Sequence, residues 1–130
     1  MATLNPGGVR IGTSEIYRVV HSINTIEDSL VIGQDWKGDQ RVILFVMLGN
    51  NSQLTDEFIK EIKYQIKVSC SPRHVPSKII KVSGIPYTIN GKKVEIAVKK
   101  ILEGRPVTNI DSLINPEVLN QYKDLPELMA

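Results

Sequence analysis

Apolar positions along the chain follow two different periods. Ile16, Val19, Val20 and Ile23 recur three and four residues apart, as on one face of a helix, and Thr13 just ahead of them is a residue type that caps helix starts. A second helical stripe, Phe58, Ile59, Ile62 and Ile66, follows Thr55. Leu54 and Ile59 bracket that threonine at the spacing of a hydrophobic staple, and the helix is expected to run to Ser71-Pro72. Between the two stripes the period changes. Asp28 to Trp36 sets Leu30 and Ile32 on one side of a strand, and Val42 to Leu48 is apolar without polar alternation, the pattern of a central strand covered on both faces. The turn chemistry of Asp35-Trp36-Lys37-Gly38-Asp39 joins the two as a short hairpin.

Proline and glycine punctuate the rest. Three glycines and a proline between Thr3 and Gly12 predict a loop with a short strand. The two prolines of Ser71 to Pro76 predict an extended connector feeding a strand over Lys78 to Val82. Ile85-Pro86-Tyr87-Thr88-Ile89-Asn90-Gly91-Lys92 reads as a loop with a turn at Asn90-Gly91, followed by a helix from about Val94 to Leu102. Asn115 as cap and Pro116 as first residue predict one further short helix. Residues 105–130 are expected as a C-terminal extension of lower core density that wraps the domain surface, frayed from Leu125. The sum is one α+β domain over residues 1–130: a small mixed or antiparallel sheet with an N-terminal hairpin, packed by helices.

Composition narrows the function classes. At 130 residues and 42% hydrophobic content, the chain suffices for one core without a metal or disulfide staple. Cys70 is the single cysteine, which excludes an internal disulfide and a cysteine-rich zinc site, and no metal ligand set is predicted. The longest apolar run is too short to span a bilayer as a helix, and the opening residues lack a basic-then-apolar secretory pattern. The expectation is therefore a cytoplasmic protein with no membrane partner. Sixteen Lys and Arg against fourteen Asp and Glu leave +2, which by itself argues for no nucleic-acid partner.

Two glycine-rich loops carry cations: Gly7-Gly8-Val9-Arg10-Ile11-Gly12 and Asn90-Gly91-Lys92-Lys93. The first lacks the G-x-G-x-x-G spacing, and the second lacks the earlier glycine of a phosphate-cradling G-x-x-x-x-G-K-[ST] loop. Taken separately each reads as a plain turn. A lysine at a turn tip nevertheless has a use, because its compact ammonium delivers a point charge to a phosphate or carboxylate.

In their order the two loops resemble the small C-terminal domain of acyl-CoA synthetases, members of the adenylate-forming superfamily. Asn5-Pro6-Gly7-Gly8-Val9-Arg10-Ile11-Gly12-Thr13-Ser14-Glu15-Ile16-Tyr17 is similar to the family's hinge-proximal loop, which ends in G-x-R-[LI]-G-x-x-E-[IV]. Ile85 to Lys92 is similar to its later L-P-x-T-x-x-G-K loop. The wording of the first loop, with Asn90-Gly91-Lys92-Lys93-Val94-Glu95, most resembles the acetoacetyl-CoA-forming branch. Where the family commonly has Ser-Gly-Lys-[IV], this chain has Asn90-Gly91-Lys92-Lys93, so register admits Lys92 or Lys93 as the functional cation; Lys92 is chosen.

The resemblance implies a two-step ligase. A small carboxylic acid, acetoacetate, and MgATP give an acyl-adenylate and pyrophosphate, and the thiol of CoA then displaces AMP. Lys92 is the expected catalytic residue, placing a cation between two anions in the first step. Gly8 lets the pantetheine chain pass the backbone in the second, Arg10 orients phosphate or holds its loop, and Lys63 on the second helix lies near where the family places a cation for the CoA nucleotide phosphate, its plainer reading being a solvated helix lysine. ATP, Mg2+ and CoA would be bound mainly by an N-terminal adenylation domain, the expected partner, against which this domain rotates between half-reactions. Alone the piece should be inactive. Family members are also switched off by acetylation of the loop lysine, which removes its charge.

His21 and His74 have no partner at a catalytic spacing and are read as structural or solvent-facing; Glu15 is assigned a fold role near the first helix start, where the dipole favours a carboxylate, and Cys70 is a small inert residue. Trp36 either packs on the hairpin or touches the absent domain. Two other classes remain open: a non-catalytic interaction module with the same fold, and an RNA-binding basic patch at Lys92, Lys93, Lys99 and Lys100. For the latter, no aromatic interleaves with the lysines to stack bases.

Overall fold

The computed structural model describes residues 3–4, 10–49, 52–91, 94–105, 113–123 and 125. Strand β1 (Thr3–Leu4) pairs antiparallel with β2 (Ile11–Gly12), and the chain turns directly from β2 into helix α1 (Thr13–His21). The cap position is Gly12, not Thr13: the threonine is already helical and is turned into the core at 2% exposure. A long hairpin follows, β3 (Ile26–Trp36) and β4 (Asp39–Leu48). It is longer than the sequence pattern suggested, because the turn consumes only two residues. Lys37 and Gly38 both take positive φ, 50° and 79°, as a type I′ turn requires, so Asp35 and Asp39 belong to the strands. A register shift between Ile26 and Asp28 inserts Glu27 as a bulge.

Thr55 does cap helix α2 (Asp56–Ser69), its hydroxyl accepting from the Phe58 N–H at 3.1 Å. The expected extended connector is instead a 3-10 turn over Pro72–His74, because Ser71 Oγ accepts from the Arg73 N–H and Pro72 needs no donor at the first position. Strand β5 (Lys78–Lys81) then pairs parallel to β4, the geometry a helical crossover permits. Helix α3 (Glu95–Leu102) and a 3-10 helix over Pro116–Tyr122 complete the described elements.

The three-stranded sheet has order β3-β4-β5, with β4 central. Alternation along its strands divides the core in two. Val31, Val42, Leu44 and Val46 face Ile16, Val19 and Val20 of α1 and Ile62 and Ile66 of α2. Leu30, Ile32, Ile43 and Phe45 face Val98 of α3 together with Leu113, Leu119 and Tyr122. The continuous apolar run of β4 thus has its reason: one residue in two serves each layer. Described residues after 105 add to the core rather than thinning it, since Leu119 and Tyr122 are both buried.

Candidate functional site

Both predicted loops are held at their stems by side chains that lie elsewhere in the sequence. The first connects the two-residue ladder of β1 and β2. Leu4 and Ile11 are buried in the α1–α2 layer, and Leu4 lies so close over Gly33 of β3 that a Cβ there would fall 2.7 Å from its Cδ2. Glycine at 33 is what lets the ladder seat on the sheet. Gly8 lies outside the described residues. Arg10, immediately before β2, is exposed and makes no side-chain hydrogen bond or ion pair with a described residue.

The second loop leaves the sheet after β5. Lys92 and Lys93 lie outside the described residues, but both flanks are described. Gly91 takes φ 82°, and its N–H donates to the Thr88 carbonyl at 2.8 Å, closing a turn. The Val94 N–H donates to the Pro86 carbonyl at 3.2 Å and joins the two stems. Asn115 secures the entry stem: its Oδ1 accepts from the Tyr87 N–H at 3.0 Å and its Nδ2 donates to the Ile85 carbonyl at 2.8 Å. The expected cap of the last helix is therefore occupied otherwise, and no capping bond from Asn115 is made. An antiparallel bridge from Thr88 to Leu113 and a bond from the Ile114 N–H to the Tyr87 carbonyl, 3.1 Å, complete the attachment.

Two tyrosine–carboxylate pairs tie these stems to β3. The Tyr87 hydroxyl donates to Asp28 Oδ2. The Tyr17 hydroxyl donates to Glu95 Oε2 at 2.8 Å and accepts from the Val31 N–H at 2.8 Å. Burial first, and the carboxylate beside each, hold both phenols well above the ordinary tyrosine range, with the Val31 N–H partly opposing this at Tyr17. Sequence reasoning gave these side chains no role. Tyr17 and Glu95 stand inside the two quoted motifs, and only the fold shows that they meet.

The remaining expectations resolve as follows. Lys63 sits half-buried on α2 and makes no side-chain hydrogen bond or ion pair with a described residue. His74 is buried, with Nδ1 2.7 Å from Ser71 Oγ and Nε2 3.1 Å from Glu15 Oε2, an ion-pair distance without hydrogen-bond alignment. It fastens the 3-10 turn to α1, and Ser71 Oγ is already engaged as that turn's cap. Trp36 packs on the hairpin, with the Arg41 guanidinium 4.0 Å over its ring. Among the described residues no three His, Cys, Asp or Glu side chains gather together.

The chain is 53% identical over 129 residues to acetoacetyl-coenzyme A synthetase of Rhizobium meliloti (strain 1021), covering 99% of this chain and 20% of that protein. It is 49% identical over 127 residues to acetoacetyl-CoA synthetase of Gallus gallus, covering 97% and 19%. No protein-family model matches. Acetoacetyl-CoA synthetase from Streptomyces lividans superimposes with a TM-score of 0.86 at 39% identity, covering 99% of this chain and 20% of that one. A Brucella canis acyl-CoA synthetase shares the fold, with a TM-score of 0.71 at 23% identity over 76% of this chain. The chain spans about a fifth of the length of the curated relatives it matches. With a mixed sheet clad by helices, the chain has the fold of the C-terminal α+β domain of adenylate-forming enzymes, and over nearly its whole length it is similar to about a fifth of acetoacetyl-CoA synthetases.

Proposed function

We propose that this domain serves a ligase that joins acetoacetate to CoA at the expense of ATP. The single observation that carries the reading is identity of about half the residues over nearly the whole chain to acetoacetyl-CoA synthetases. In the first half-reaction a carboxylate oxygen of the acid attacks the α-phosphorus of ATP and pyrophosphate leaves. Two anions must approach, and Lys92 at the tip of the second loop offsets their repulsion as charge shifts in the transition state. In the second, the CoA sulfur attacks the acyl carbon, loses its proton, and AMP leaves. Gly8 gives the pantetheine arm room beside the backbone, while Arg10 steadies that loop or a phosphate and Lys63 meets the CoA nucleotide phosphate. ATP, Mg2+, CoA and the acid are held mainly by an N-terminal adenylation domain, against which residues 1–130 move as one lid with 105–130 wrapped over it. The setting is cytoplasmic lipid metabolism, and acetylation of Lys92 would silence the first step.

The test uses the full-length synthetase, wild type and Lys92→Ala, with two assays: acetoacetate-dependent pyrophosphate release, and thioester formation from supplied acetoacetyl-adenylate. Losing the cation should lower the first by about 100-fold or more and leave the second within about two-fold. An unchanged first step removes Lys92 from the mechanism. A wild-type protein that releases no pyrophosphate with acetoacetate or any other short acid reduces the resemblance to one of fold alone.

A further inference from the structure

The second loop is not simply appended to α3, because each of its stems is tied to the same outer strand by a half-buried phenol. At the entry stem, Tyr87 reaches Asp28 of β3 with its hydroxyl. At the exit stem, Glu95, the first residue of α3, receives the hydroxyl of Tyr17, which rests on the Val31 N–H of β3 at 2.8 Å. Asp28 and Val31 lie three positions apart on one strand, and the two bonds that tie the loop to it run in opposite sense. In one the loop supplies the phenol; in the other it supplies the carboxylate. All four side chains are half-buried or better protected, where such bonds are stronger than in water and their donors and acceptors costly to leave unmade. Tyr17 also belongs to α1, the helix that begins directly after the Arg10 loop.

We infer that Tyr17–Glu95 and Tyr87–Asp28 are positioning pairs that aim the stems of the loop whose sequence carries Lys92, and so fix the rate of adenylation without touching substrate. This rests on the proposed role of Lys92. The bonds from the Gly91 N–H to the Thr88 carbonyl and from the Val94 N–H to the Pro86 carbonyl keep the loop's shape, because both lie within it. Its direction is set from outside, by Asn115 and the bridge to Leu113 on one hand and by the two phenol pairs that reach the sheet on the other. A displacement of about 1 Å at a reacting group costs on the order of 100-fold in rate, so a loop that swings on its stems loses adenylation well before the domain loses its fold.

The experiment compares Tyr17→Phe, Tyr87→Phe, Glu95→Ala, Glu95→Gln and Lys92→Ala in the full-length synthetase by the two half-reaction assays, with thermal unfolding of each variant. Tyr17→Phe, Tyr87→Phe and Glu95→Ala should lower pyrophosphate release by about 10- to 100-fold through kcat, with the KM for ATP within about two-fold and thioester formation from supplied adenylate unchanged. Glu95→Gln keeps an acceptor oxygen for Tyr17 and should recover most of the rate. Equal loss in both half-reactions, or Glu95→Gln as poor as Glu95→Ala, overturns the inference in favour of a merely structural role, as does wild-type pyrophosphate release from the two phenylalanine variants. If Lys92→Ala itself leaves adenylation intact, the proposed function fails; if Lys92→Ala abolishes it and the phenol variants do not, only the positioning inference fails.

Discussion

The ring of Tyr122 meets that of Phe45 edge to face, centroids 4.7 Å apart and planes at 77°. It is the point at which the last described helix is locked to the central strand. The same tyrosine donates its hydroxyl to the Gly84 carbonyl at 2.8 Å, so one fully buried side chain joins three segments. Tyr122→Phe should lower the unfolding free energy by about 1 kcal/mol, the worth of a net hydrogen bond, and Tyr122→Ala by about 3–5 kcal/mol, as for other large aromatic deletions. Urea unfolding of the 130-residue chain measures both; equal effects would mean the ring adds nothing beyond its hydroxyl.

Asn115 offers a second check, on the loop stem. Removing its amide leaves the Tyr87 N–H and the Ile85 carbonyl without these partners. Asn115→Ala should cost about 1–3 kcal/mol, and hydrogen exchange at the Tyr87 amide should accelerate more than exchange in β4. Uniform acceleration across the sheet would show that Asn115 supports the whole fold rather than the loop.

Alkaline pH should destabilise the domain in a defined direction. Burial, then neighbouring carboxylates, raise the phenols of Tyr17, Tyr87 and Tyr122 above their ordinary value. An unfolded chain ionises them near pH 10 while the native one retains their protons, so the unfolded state binds fewer protons and stability falls as pH rises. The contribution is fully present below about pH 10 and is lost progressively above it. Denaturation midpoints measured against pH should fall over that range, with a shallower slope in Tyr122→Phe.

Cys70 should be a slow thiol. Its Sγ lies 3.7 Å from the Glu15 carbonyl, and burial first, with the Glu15 charge adding and Arg18 opposing, pushes its pKa up. Since the thiolate is the reactive species, an aromatic disulfide reagent should label the native domain about ten-fold or more slowly than the denatured chain. Matching rates would show that the thiol is neither screened nor raised.

Local patterns were the legible part of the fold. The stripe through Ile62 and Ile66, the Thr55 cap and the unbroken apolar run of β4 each state a local rule, and each appears in the structure as written. What the sequence could not state was competition. Asn115 is a good cap by type, yet its amide serves two backbone groups some thirty residues away, and Thr13 is drawn into the core while Gly12 takes its place. Ser71, His74 and Glu15 meet only because α1 and the turn after α2 adjoin. The site divides in the same way: the motifs carrying Gly8, Arg10 and Lys92 could be read in order along the chain, whereas the pairs that hold their stems join residues 17 with 95 and 28 with 87 across the fold.

A strand at the margin of a sheet ordinarily offers its unpaired amides to any other extended chain, and β3 is the longest strand here as well as a marginal one. At Val31 that offer is withdrawn, because the amide is already taken by the Tyr17 hydroxyl. The bond that fastens the exit stem of the loop thereby also leaves one amide fewer open to strand-to-strand pairing. Conversion of Tyr17 to a residue without a hydroxyl would then be felt in solubility at high concentration as well as in turnover.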